Sequence, residues 1–170
     1  MYSIGWDWRE RRGLAELTGY ILAAILGVSG LFYVGWAAGL SFPFANEQAL
    51  ARSVIGRRGI TRVPSRRAFL YVGVLLFAAA TAAFLLGGFG DAVPQSKPFL
   101  APVGLLLALV FLVRGVAGVL PAFERAAPEQ PFLTLNRRLY SPLCVLAGTA
   151  FLYLTLALPN WQARLSQLFG

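Results

Sequence analysis

Residues 99–122 read "FLAPVGLLLALVFLVRGVAGVLPA". A single arginine, Arg114, interrupts a run otherwise free of charge. The hydrocarbon core of a bilayer takes about 20 apolar residues in helical form, so this stretch reads as a transmembrane helix. Working outward, three more stretches of the same character lie at 17–40, 69–89 and 142–158. The whole chain of 170 residues is 58% hydrophobic and 13% charged, against about 45–50% and about 25% in soluble domains. The expected fold class is therefore all-α and integral to the membrane, a four-transmembrane-helix bundle forming one membrane domain over 1–170.

The connections carry the charge. "SFPFANEQALARSVIGRRGITRVPSRR", residues 41–67, offers Asn46 as a helix N-cap, an apolar edge at Leu50, Val54 and Ile55, and Gly56 as the residue after the helix. A short interfacial helix over 47–55 is predicted. Arg52, Arg57, Arg58, Arg62, Arg66 and Arg67 form a basic loop suited to anionic lipid headgroups, the bilayer being the expected partner. The link at 90–98 is short enough to make the second and third spans antiparallel neighbours. Before the fourth span, Ser141 and Pro142 read as a helix cap followed by a proline in the first turn.

Counting Lys and Arg without Arg114, the loops after the first and third spans carry nine and the remaining segments five. By the positive-inside tendency, both of those loops are expected in the cytoplasm and both termini outside, in the cytoplasmic membrane. Arg9, Arg11 and Arg12, just ahead of the first span, pull the other way. In that amino-terminal segment Trp6 and Trp8 suit the headgroup region. A cleaved signal peptide is the rival reading of the first span, but its apolar core should run about 7 to 15 residues, shorter than the stretch here. Small residues at Gly19, Ala23 and Gly27, and again at Gly35 and Gly39, give smooth patches for close helix packing, within the bundle or in a homodimer.

Composition also removes chemistries. The chain has no histidine, one cysteine (Cys144) and one methionine, so a His-ligated metal or haem and an intramolecular dithiol relay both lack their reagents. No metal and no other cofactor is expected. The net charge of +8 does not indicate nucleic acid, because aromatic residues interleaved with basic ones for base stacking are missing. Cys144 reads as a core residue, since burial in an apolar helix raises a thiol's pKa.

Arg114 is the residue that needs explaining. A charge near the bilayer centre costs at least about 2.5–3.5 kcal/mol on insertion scales. With a helix running to Ala122, it lies about 12 Å from that end, and its side chain leans toward the amino terminus, away from the nearer surface. An interior position and a snorkelling one both remain open. An interior arginine would draw on Ser29, Thr81, Thr149, Thr155, a tyrosine, freed carbonyls near Gly115 and Gly118, or an anionic ligand.

The run "RLYSPLC", Arg138 to Cys144, within "FLTLNRRLYSPLCVLAG" and together with "GWAAG" at 35–39 and an arginine in the third span, resembles the DUF3995 family of small bacterial four-helix membrane proteins. In that family a histidine commonly stands three residues before the first-span tryptophan, and an aspartate shortly before the Tyr-Ser-Pro run. Those places here hold Tyr33, before Trp36, and Asn136. Any acid-base chemistry built on such a pair would be beyond this chain. The resemblance implies a layout and a location, and no reaction.

Three functions compete. A non-catalytic accessory or scaffold protein, with a membrane-protein partner or a second copy of itself, requires nothing the sequence lacks. A binder or carrier of a small amphipathic or anionic molecule, a lipid or quinone, would use Arg114 for the polar head and Tyr33, Trp36 and Tyr71 as pocket lining. A membrane enzyme comes last, having neither histidine nor interior acid.

Overall fold

A computed structural model describes residues 4–63, 65–88 and 97–158, with side chains from Arg12 and, after the gap, from Phe99. The side chains of the tryptophans ahead of the first span, the link residues 90–96 and the terminating Pro159 lie outside the described residues. Everything described is helix or connection, without a strand. The elements are α1 (Ile4–Ala37), α2 (Glu47–Val54), α3 (Arg66–Leu86), α4 (Lys97–Ala117), α5 (Pro121–Ala126), α6 (Phe132–Leu135), a π-helical turn (Asn136–Tyr140) and α7 (Ser141–Ala157). Four stretches are long and apolar enough to cross a membrane: Arg12–Ala37, Arg66–Leu86, Phe99–Ala117 and Phe132–Ala157.

Two antiparallel pairs make the frame, α1 with α3 and α4 with α7, and α1 meets α7 between them. The pairs close on glycine. A Cβ on Gly19 would come within 2.6 Å of Gly87 Cα, and one on Gly73 within 3.3 Å of the Gly30 carbonyl. On the other pair, Gly115 faces Val145 and the Ser141 carbonyl, and Gly148 faces Leu112 and the Ala108 carbonyl. Backbone-to-backbone approach of this kind suits helices in lipid, where burial of apolar surface supplies no drive and contact area must. Leu22, Leu26, Ala83, Leu86, Phe151 and Leu154 fill the centre. Leu31, Leu75, Leu106, Leu109 and Leu146 point outward, each at least 60% exposed. A large apolar exterior over an apolar core departs from a soluble helical domain, whose outer helix faces are mainly polar.

The short helix expected after the first span forms over Glu47–Val54, with the Asn46 side chain accepting from the Ala49 amide at 2.8 Å. Leu50 is buried beneath it. Gly56 follows in the left-handed region (φ +68°), and a Cβ there would run into the Phe132 ring, so both backbone and packing require glycine.

Several boundaries differ from the sequence expectation. α3 runs Arg66–Leu86 and not 69–89, with the Ser65 side chain capping its start. α1 starts earlier and ends at Ala37, with Gly39 already at φ +100°. Gly39 is therefore a turn residue, and the small-residue stripe does not continue onto it as helix. α4 stops at Ala117 and not near Ala122, because Pro121 pushes Leu120 into extended backbone (φ −75°, ψ 144°) and starts a separate helix. Ser141 is not an N-cap. The chain is already helical from Phe132, and Ser141 has αR backbone with its amide bonded to the Asn136 carbonyl five residues back. Pro142 cannot donate, and its ring would crowd the carbonyl one turn earlier; the wider π turn just ahead of it relieves that clash and keeps the helix continuous.

Candidate functional site

The end of α4 and the π turn before α7 meet at Arg114. Since α4 ends three residues later, Arg114 sits in a last helical turn, and the connection through α5 and α6 folds back over it. Its Nη2 donates to Asn136 Oδ1 at 3.1 Å. Asn136 is fully buried, and its Nδ2 donates to the Gly118 carbonyl freed where α4 ends. The Ser141 hydroxyl, also buried, donates to the same Asn136 Oδ1 at 3.5 Å. The Phe123 ring covers the guanidinium, with Arg114 Cζ 4.9 Å from its centroid, a cation–π arrangement. Arg114 Nη1 is buried and has no hydrogen-bond partner. A Cβ on Gly118 would come 2.6 Å from that Nη1 and collide with Ser141 Oγ, so this approach exists only because residue 118 is glycine.

Arg114 is part-buried and, with Pro121 ending α4 early, lies close to that helix end; the expected carbonyl near Gly118 is present, one step removed through Asn136. Asn136 was visible in sequence only as a departure from the family pattern. What brings it here is the π turn, which sequence spacing does not announce. Tyr33 lies on α1 within electrostatic range of Arg114 and Cys144. Its ring packs against Trp36 and edge-on against Phe69.

The other two residues expected to line an Arg114 pocket lie elsewhere. Trp36 donates Nε1 to the Phe42 carbonyl at 2.9 Å and lines a small cleft with Leu40, Glu47, Val63 and Arg66, about 70 Å³ in volume. Tyr71 faces outward, 69% exposed.

The basic loop is tied down through Glu129, ahead of α6. Its Oε1 accepts from the Gly59 amide at 2.9 Å, its Oε2 lies 3.5 Å from Arg52 Nη2, and its own amide donates to the Gly56 carbonyl at 3.1 Å. The Gly59 hydrogen bond, and after it Arg52, hold the Glu129 carboxyl below the usual carboxylate range. Glu124 binds Arg137 in the same region. Arg52, though exposed, is thus part of a latch between the two connections; Arg57, Arg58 and Arg62 are exposed in the loop, and Arg66 and Arg67, expected in that loop, are exposed in the first turn of α3.

No curated protein and no solved structure matches the chain. The model of one family, described as a protein of unknown function (DUF3995), matches residues 12–151, which include both the Arg114 node and the latch. On that match the chain belongs to the DUF3995 family.

Proposed function

We propose that the chain is a non-catalytic multi-pass protein of the cytoplasmic membrane, a four-helix bundle acting as an accessory or scaffold subunit. The observation that carries this reading is the fate of Arg114: its guanidinium is engaged within the chain by Asn136 of the π turn and by the Phe123 ring. Passage of an amphipathic molecule needs a cavity of about 300 Å³ or more. Among the described residues, a cleft of about 70 Å³ lies away from the guanidinium, among Trp36, Leu40 and Arg66. An enzymatic role has less to work with, since the sequence has no histidine and a single cysteine. The exposed arginines of the first loop then contact anionic headgroups and fix that loop to the cytoplasmic leaflet.

Purification of the full chain in mild detergent tests the role. A second membrane protein retained at constant molar ratio through two orthogonal separations is the expected result. A species containing this chain alone at every step would overturn the accessory reading.

A further inference from the structure

We propose that Arg114 Nη1 anchors a bound oxyanion, a carboxylate or phosphate oxygen from outside the chain. Nη1 carries two N–H donors, is buried, and meets no acceptor. The neighbouring acceptor is already committed: Asn136 Oδ1 takes both Arg114 Nη2 and the Ser141 hydroxyl.

The described carboxylates are committed too. Glu16 faces Arg12, Glu47 accepts from the Val63 amide, Glu124 binds Arg137, and Glu129 holds Gly59 and Arg52. Among the described residues, then, a part-buried guanidinium with its Nη1 fully buried has one hydrogen bond to a neutral amide, an aromatic face and no counter-charge. Burying a charge in that state is costly unless a partner neutralises it. An oxyanion is the partner that a guanidinium's planar fork fits best.

The site's position agrees with the chemistry. It lies where α4 ends, beneath α5 and α6, at the same end as the arginines of the first loop, where anionic headgroups would concentrate. A lipid headgroup and a free phosphate share this chemistry. The inference stands apart from the accessory role, since a lone subunit could hold the anion equally well.

The test uses the full chain, stripped of lipid in a nonionic detergent, with thermal unfolding as the readout. Inorganic phosphate is titrated against chloride at equal ionic strength, and phosphatidylglycerol micelles are compared with phosphatidylcholine micelles. A saturable rise in Tm is expected in at least one arm: with phosphate if a free oxyanion suffices, or with phosphatidylglycerol alone if the source is a headgroup. Arg114→Gln should abolish the response. Asn136→Asp keeps the arginine but supplies a carboxylate from within, so it should abolish the response as well, and it decides the matter if Arg114→Gln fails to fold. The Arg57→Gln, Arg58→Gln double variant should retain it. No rise with either probe in the unmodified protein, or a response lost in that surface variant and kept in Asn136→Asp, would overturn the proposal.

Discussion

Glycine at 118 and glycine at 27 look alike in the sequence and do opposite things in the fold. Gly118→Ala forces a methyl between Ser141 Oγ and Arg114 Nη1, an overpacking expected to cost about 1–3 kcal/mol. Gly27→Ala meets nothing within 4 Å, and the higher helix propensity of alanine should leave stability unchanged or raise it by up to about 1 kcal/mol. Thermal unfolding of the two variants side by side checks this; equal losses would mean that the α4 to α7 contact is wrongly placed. Arg114 itself was legible, because one charge in an apolar run cannot be overlooked. Its partner was not, since Asn136 lies 22 residues on and no local rule pairs the two. Ser141 was misread as a cap for a related reason. Serine before proline is a good helix start only where the chain is not already helical, and here the preceding turn is.

At the scale of elements, α2 and its Asn46 cap follow from local chemistry, and the structure reproduces them nearly residue for residue. The latch that holds the loop after α2 does not, because Glu129 reaches Gly59 and Arg52 from another connection. That carboxylate titrates below its ordinary value near 4.5. A depressed folded-state pKa stabilises fully above the unfolded value, and the contribution is lost as pH falls through the folded one. Hydrogen exchange at the Gly59 amide, corrected for its intrinsic pH dependence, should therefore show constant protection above about pH 4.5 and rising exposure below it. Glu129→Gln should show weak protection at every pH. A wild-type profile that stays flat into strong acid would exclude the carboxylate as the latch.

For the whole molecule, the count of nine cationic side chains against five predicts that a carboxyl-terminal reporter active only in the cytoplasm stays dark. A bright fusion would invert the orientation. Composition and local chemistry suffice for the number of long apolar helices, the short helix after α1, and which connections are basic. These depend on composition and near-neighbour chemistry, since the hydrocarbon thickness sets span length and capping acts over three or four residues. Packing between distant segments sets which small residues touch, where α4 and α7 begin and end, and what Arg114 faces. Helix pairing in an apolar protein turns on close approach between distant backbones, as at Gly19 and Gly87, and hydropathy is the same for every face of such a helix. The arginine's surroundings were assembled by Pro121 ending one helix and the π turn before Pro142 continuing another, two effects whose outcome depends on what each segment packs against.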